Sequence, residues 1–181
     1  MIPPGEQAYT RFRGFLQMLS VAMVVLIVDQ ATKLLIMLEL GPTGDRVMIP
    51  VIPGVFRLFY VQNTGAAFGI FQGNSLVLAG LAVLVVLFLL IYFRRWIAES
   101  PWLALAIGLQ FGGAIGNILD RLQHGFVVDF IDFRYWPTFN VADSAITLGV
   151  IILAISLFKR EQRRNAAQKK DVEVVDQRPV T

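Results

Sequence analysis

Two aspartates stand in surroundings that favour acid–base chemistry. Asp129 lies in the apolar segment VVDFID with no adjacent cationic residue, and Asp143 lies at the start of a long apolar run. Two carboxylates that meet in a low-dielectric site cannot both ionise easily, so one stays protonated while the other stays charged. Such a pair can take a proton from an attacking water and protonate a carbonyl or a leaving amine. We therefore interpret Asp129 and Asp143 as a candidate catalytic pair, with Asp129 held by a loop.

Other ionisable and amide residues accompany this pair inside apolar stretches, where each ionisable group costs roughly 2.5–3.5 kcal/mol on insertion scales. A chain that retains such groups generally uses them. Some also have a structural interpretation: Asp29 and Lys33 are spaced to form a self-neutralising i, i+4 ion pair, and Asn140 with Asp143 could cap a helix. The set comprises Asp29, Lys33, Asn117, Asp120 and Arg121, with Asn63 and Asn140 in the flanking loops. We interpret Asp132 as solvated and His124 as structural.

The composition excludes several classes of protein and of site. Hydrophobic residues make up 56% of the 181 residues and charged residues only 16%, whereas soluble domains carry roughly 25% charged residues. The chain has no cysteine and one histidine, which excludes disulfides, thiolate nucleophiles and a HExxH metal site. We expect no metal and no other cofactor.

Four apolar stretches are long enough to cross a bilayer, which takes about 20 helical residues. They cover residues 15–40, 76–93, 102–119 and 141–158. Most lysines and arginines lie before the first stretch, after the second and after the fourth, so the positive-inside rule predicts that both termini are cytoplasmic. The expected organisation is a cytoplasmic segment 1–14, a membrane domain 15–158 and a basic cytoplasmic tail 159–181 that frays into a disordered end.

This orientation brings the polar residues to one depth. At the helical rise, Asp29 lies about 21 Å beyond the start of the first stretch, in the outer leaflet. Asp120 ends the third stretch on the outer side and Asp143 begins the fourth there. We therefore expect a single site near the outer leaflet. Residues 46–62 are rich in β-branched and aromatic residues and predict short strands, and residues 64–72 predict a short interfacial helix.

Residue types alone leave other functions open. A serine–lysine hydrolase could use Lys33 as the base and Ser144 or Thr64 as the nucleophile. A proton-coupled membrane transporter subunit also needs intramembrane carboxylates. A non-catalytic membrane scaffold would keep the apolar stretches without needing the aspartates.

Five sequence blocks distinguish these possibilities when they are taken together. They are DQATK (29–33), NTGAAF (63–68), GNILDR (116–121), VVDF (127–130) and FNVADS (139–144). In this order and topology they resemble the lipoprotein signal peptidase family, the prolipoprotein or type II signal peptidases of bacteria, over about residues 26–156.

The resemblance implies an integral inner-membrane aspartic endopeptidase. Such enzymes remove the signal peptide from diacylglyceryl-modified prolipoproteins, cutting before the lipidated cysteine. The implied fold has four transmembrane helices, a small extracytoplasmic β-cradle over residues 46–62 and a short periplasmic helix over 64–72. The implied partners are prolipoproteins, membrane lipid and the inhibitor globomycin; we expect a monomer that binds no nucleic acid.

The resemblance also implies roles for individual residues. Asp129 and Asp143 match the family's catalytic pair. The other matching positions line or support the site: Asp29, Lys33, Asn63, Gly65, Asn117, Asp120, Arg121 and Asn140.

Overall fold

Four long helices and one small sheet make up the part of the chain that the structure, a computed structural model, describes: residues 4–42, 44, 47–65 and 73–176. The predicted helix over 64–72 falls almost wholly outside these residues. The helices are α1 (Pro4–Leu40), α2 (Ser75–Glu99), α3 (Pro101–His124) and α4 (Val141–Asp176). The strands are β1 (Ile49–Ile52) and β2 (Phe56–Asn63), between α1 and α2, and β3 (Val127–Phe133), between α3 and α4.

Each helix contains a segment long and apolar enough to cross a membrane, which confirms the four predicted stretches. The segments are Arg11–Leu40, Ser75–Arg94, Pro101–His124 and Val141–Ala166. Large apolar side chains such as Leu34, Leu84 and Ile151 are about half exposed on the outside of the bundle. Exposed leucine and isoleucine in such numbers suit contact with lipid rather than water.

Helix α3 is the central helix, because it packs against α1, α2 and α4. Small residues allow the close approach: a Cβ on Gly112 would meet the backbone of Ala22 in α1, and a Cβ on Gly116 would overlap the carboxylate of Asp29. This small-residue spacing is typical of helix pairs in membranes. It brings the polar residues of α1 and α3 into direct contact.

The sheet has the order β1-β2-β3, with both pairs antiparallel. Asn63 faces Val127, and Val61 faces Asp129. Val128 and Phe130 pack on Ile36 and Leu40 of α1, so the sheet is fixed to the end of the bundle. The strands expected within 46–62 are confirmed for the described residues.

Asp129 lies in a β-strand, so its expected placement in a loop is wrong. Residues Val127–Phe130 are buried on both faces of β3. A strand that is buried on both faces lacks the polar–apolar alternation by which strands are recognised in a sequence. Its β-branched and aromatic residues were the remaining signal.

The expected fraying of the tail after Lys159 is also wrong as far as Asp176, because α4 continues to that residue. Residues 159–176 are mostly lysine, arginine, glutamate, glutamine and alanine, which favour helix, and they contain no glycine or proline. They extend a helix that already exists, so no nucleation step opposes them. Glu161 and Arg164 add an i, i+3 ion pair on this segment.

Candidate active site

A cavity of about 880 Å³ opens where the sheet meets the starts and ends of the helices. Its walls come from β2, β3, α3, α4 and the segment before α4. Both Asp129 and Asp143 line it, together with the predicted site residues Asn63, Gly65, Asn117 and Arg121. The other predicted residues lie beneath this surface: Asn140, Asp29, Lys33 and Asp120 are almost fully buried.

Asp129 reaches the cavity from β3 and is held by two amide groups. Asn63 Nδ2 donates to one carboxylate oxygen at 2.8 Å, and Asn140 Nδ2 donates to the other at 2.7 Å. Only 2% of Asp129 is exposed. Burial raises the pKa of Asp129 to about 7, and the nearby charge of Asp143 acts in the same direction, while the amide hydrogen bonds lower the pKa. Asp129 can therefore gain and lose a proton near neutral pH.

Asp143 is fixed at the start of α4 by a capping box. The Asp143 N–H donates to Asn140 Oδ1 at 2.9 Å, and the Asn140 N–H donates to an Asp143 carboxylate oxygen at 3.3 Å. The other carboxylate oxygen accepts from Asn117 Nδ2 at 2.8 Å. The capping interpretation of Asn140 and Asp143 is thus confirmed. Since Asn140 also contacts Asp129, one asparagine holds both carboxylates in a common frame.

The orientation of each supporting amide is set by a partner that can only donate. Lys33 Nζ donates to Asn117 Oδ1 at 2.9 Å, which turns the Asn117 NH₂ group toward Asp143. In the same way the Gly65 N–H binds Asn63 Oδ1 and turns the Asn63 NH₂ group toward Asp129. An amide group has one accepting and one donating end, so fixing the first fixes the second.

Lys33 joins two further carboxylates beneath the cavity. Its Nζ lies 2.8 Å from Asp29 Oδ2 and 2.9 Å from Asp120 Oδ2, and all three side chains are almost fully buried. With Asn117 as the third acceptor, the three N–H groups of Lys33 are all used. The predicted ion pair of Asp29 and Lys33 is present, and Asp120 makes it a three-residue network.

This network ties together the elements that carry the candidate pair. The second oxygen of Asp29 accepts from the N–H of Ala142 at 2.9 Å, at the positive start of α4. The Lys33-bound oxygen of Asp120 also accepts from the N–H of Val128 at 3.1 Å, next to Asp129 in β3. Sequence reasoning missed Gln30, whose amide contacts both Asp29 and Asp120. Its place in DQATK was the available signal.

Arg121 lines the cavity, but among the described residues it forms no hydrogen bond with Asp129 or Asp143. It donates to the backbone oxygens of Asn117 and Gly65 at 3.3 and 3.2 Å. Its buried Nε has no partner among the described residues. Arg121 therefore holds the start of the segment after β2 against α3.

The remaining candidates lie away from the pair or are occupied. The Ser144 hydroxyl donates to the backbone oxygen of Asn140 at 3.0 Å. Asp132, which we interpreted as solvated, instead forms an ion pair with Arg57 and accepts a hydrogen bond from Thr138. His124 ends α3 and lies beside the ring of Phe126. Among the described residues, no three His, Asp or Glu side chains are grouped as ligands for a metal ion.

Comparison with known proteins identifies relatives of this chain. The sequence model of the family described as signal peptidase (SPase) II matches residues 21–159. The lipoprotein signal peptidase of Halothermothrix orenii is 43% identical over 142 residues, which cover 78% of this chain and 95% of that protein. The one from Moorella thermoacetica is 45% identical over 139 residues, covering 77% and 91%.

Solved structures agree with the sequence relatives. One, described as a bacterial membrane enzyme, superposes with a TM-score of 0.71 at 35% identity and covers 81% of this chain and 90% of its own. A second with the same description gives 0.67 at 36% identity, covering 78% and 92%. Four apolar helices in this context make the chain a multi-pass membrane protein. The match over most of the chain, by family model and by relatives alike, places this protein in the signal peptidase II family.

Proposed function

We propose that this protein removes the signal peptide from diacylglyceryl-modified prolipoproteins, with Asp129 and Asp143 as the catalytic pair of an aspartic endopeptidase. The observation that carries the proposal is that both carboxylates line one cavity and share Asn140 as a hydrogen-bond partner. Membership of a peptidase family supports proteolysis and gives no support to the transporter alternative. Lys33 has no free N–H group, which argues against a serine–lysine mechanism.

In the proposed mechanism Asp129 begins protonated and Asp143 begins ionised. Water attacks the scissile carbonyl carbon and gives a proton to Asp143, while Asp129 gives its proton to the carbonyl oxygen. The resulting gem-diol breaks its C–N bond as the proton on Asp143 passes to the leaving nitrogen. A diol hydroxyl then returns a proton to Asp129, which restores the starting pair.

The supporting residues act on this pair in different ways. Asn63, Asn117 and Asn140 donate to the carboxylates, so they hold the oxygens in place without bringing a positive charge. Asp29, Lys33 and Asp120 hold α1, α3, β3 and α4 together beneath the site. Gly65 and Arg121 position the wall through backbone contacts.

The substrate would enter from the bilayer. We propose that both termini are cytoplasmic, in the bacterial inner membrane, so that the site lies near the outer leaflet and the sheet forms an extracytoplasmic cradle. Besides the main cavity, a groove of about 280 Å³ between α2 and α3 reaches Asn117 and Arg121 and is lined mainly by apolar residues such as Leu78, Val85 and Ile146. Either opening suits an apolar signal helix or acyl chains. Globomycin would compete for the same cavity.

A cleavage assay on a purified diacylglyceryl-modified precursor tests the catalytic pair. Asp129→Asn and Asp143→Asn should each lower the rate by at least about 10²–10⁴-fold, because each removes a proton-transfer group. Asp132→Asn is the matched control, since Asp132 lies in the same strand but pairs with Arg57. Near wild-type cleavage by either pair variant would exclude the proposed mechanism.

The same precursor without its diacylglyceryl group tests the substrate class. We expect it to be cut much more slowly by the wild-type protein, because the lipid contributes apolar contacts near the site. Equal turnover of the two precursors would leave the peptidase assignment standing and remove lipid recognition from it.

A further inference from the structure

We propose that a groove between the start of α3 and the middle of α4 binds one anionic phospholipid. The groove has a volume of about 520 Å³, which lies within the range of roughly 300–1,000 Å³ typical of ligand pockets. Its walls combine basic side chains at one end with apolar side chains at the other. This site is separate from the candidate active site and plays no part in the proposed cleavage.

The groove lies at the opposite end of the bundle from the catalytic pair. Lys159 follows Asp143 on α4 by about 24 Å of helix at 1.5 Å per residue, and Ser100 precedes Asn117 on α3 by about the same distance. A hydrocarbon core is about 30 Å thick, so the two sites face opposite membrane surfaces. In the proposed orientation the groove faces the cytoplasmic leaflet, whose surface is anionic.

The polar end of the groove is suited to a phosphate group. Lys159, Arg160 and Arg163 line it, and none of the lining residues that the structure describes is acidic. The Arg160 guanidinium lies 4.5 Å from the ring centroid of Trp96, which places this cation beside α2. Lys159 and Arg163 place two further cations on the same concave surface.

The start of α3 adds to the positive potential of the basic side chains. Ser100 is the N-cap, and its hydroxyl oxygen accepts from the N–H of Leu103 at 3.4 Å. The hydroxyl proton is left to donate, and the helix N-terminus carries a partial positive charge. The 24-residue helix α3 therefore reinforces the attraction that the basic side chains exert on an anion.

The other end of the groove is apolar and faces the bilayer. Trp102 and Ile155 are 63% and 50% exposed there, beside Leu103 and Ile152. Tryptophan is enriched at the membrane interface, where a ligand has a polar head and an apolar tail. A free phosphate would use only the basic end, whereas a phospholipid uses both, which is why we commit to the lipid.

Native mass spectrometry of the full chain in an uncharged detergent tests the proposal. The probes are phosphatidylglycerol and phosphatidylcholine with the same acyl chains, with glycerol phosphate as the headgroup alone. We expect preferential retention of phosphatidylglycerol. A Lys159→Gln/Arg163→Gln variant should retain about tenfold less, because two cations near the headgroup are lost. Arg11→Gln/Arg13→Gln removes the same charge from the same membrane face outside the groove and should change little.

A second pair of variants tests the apolar end without changing charge. Ile155→Trp fills the groove and should lower retention, whereas Ile151→Trp, equally exposed one turn earlier on α4 and outside the groove, should not. Equal loss in a test variant and its control would overturn the proposal, as would equal retention of the two lipids or full competition by glycerol phosphate. Loss of retention only in variants with a lowered melting temperature in detergent would also count against it.

Discussion

Two pairs of carboxylates lie side by side at one end of the bundle, and their partners differ. Asp29 and Asp120 share the ammonium of Lys33 and are almost fully buried, away from the cavity. Asp129 and Asp143 line the cavity and receive hydrogen bonds from asparagine amides and the Asn140 N–H. A buried cation balances the charge of the carboxylates that it contacts, whereas a neutral amide fixes the position of a carboxylate without adding charge. The comparison separates a structural charge network from the pair that we propose is catalytic.

Removing the ammonium group of Lys33 should have the largest effect on the stability of the protein. Lys33→Met leaves Asp29 and Asp120 buried without their cation, and breaking a buried pair in this way costs about 3–5 kcal/mol. Asp129→Asn should cost less than about 1 kcal/mol at pH 8, because loss of a desolvated charge offsets the weakened hydrogen bonds. Thermal unfolding in detergent measures both.

A triple variant tests why Lys33→Met should lose stability. Replacing Asp29 and Asp120 by asparagine in the same chain removes the unpaired charges, so part of the lost stability should return. A Lys33→Met protein that unfolds like the wild type would show that the network does not hold the bundle together.

The pH dependence of cleavage should report the reactive pair. With the pKa of Asp129 at about 7, the protonated form that donates to the carbonyl oxygen is lost as the pH rises. Above pH 7 we expect kcat/KM to fall by about tenfold per pH unit. Assays of the lipidated precursor from pH 5 to 9 measure this. A rate that stays constant up to pH 9 would assign the proton donor to another group.

The raised pKa of Asp129 also predicts how the stability of the protein changes with pH. The pKa of Asp129 is raised from its ordinary value of 3.8 to about 7 in the folded state, so between these two pH values the folded state binds more protons than the unfolded state. Stability must then decrease as the pH rises from about 4 to 7. Asp129→Asn should flatten this part of the profile, whereas Asp132→Asn should leave it unchanged. Melting temperatures measured across this range provide the check.

The sequence was sufficient to identify the candidate pair and the residues that the structure gathers around it, but not every element that carries them. Apolar length identified the four helices, and the polar residues inside them stood out because of their cost in a membrane. β3 was missed because Val127–Phe130 are buried on both faces and show no alternation. The helical continuation of α4 to Asp176 departs from the expected fraying because the charged residues after the apolar stretch favour helix.

Contacts between residues far apart in the chain could not be predicted from the sequence either. Spacing paired Asp29 with Lys33, but the approach of Asp120 to Lys33 depends on how α1 and α3 pack at Gly112 and Gly116. The ion pair of Asp132 and Arg57 depends on the register between β2 and β3. Such contacts follow from tertiary packing and leave no local pattern.

Asn140 and Asn63 provide a smaller test of the reactive pair. Both donate to Asp129, but only Asn140 also caps α4 and binds Asp143. Asn140→Ala should therefore cost about 1 kcal/mol more stability than Asn63→Ala, in the range of a lost N-cap. It should also lower kcat further, because both carboxylates lose a partner. Equal effects of the two substitutions on melting temperature would remove the special role of Asn140.

The smallest effect is expected at the ion pair of Arg57 and Asp132, which lies at the same end of the bundle as Lys33. Arg57 and Asp132 form an ion pair on the sheet, in which the side chains are 48% and 14% exposed, against 2% each for Lys33 and Asp120. Water and salt screen an exposed pair, so Arg57→Gln should cost no more than about 1 kcal/mol and should cost less still at high salt. Cleavage should be unchanged. Thermal unfolding in detergent measures this loss of stability. A loss as large as that of Lys33→Met would mean that burial does not distinguish the Arg57–Asp132 pair from the Lys33 network.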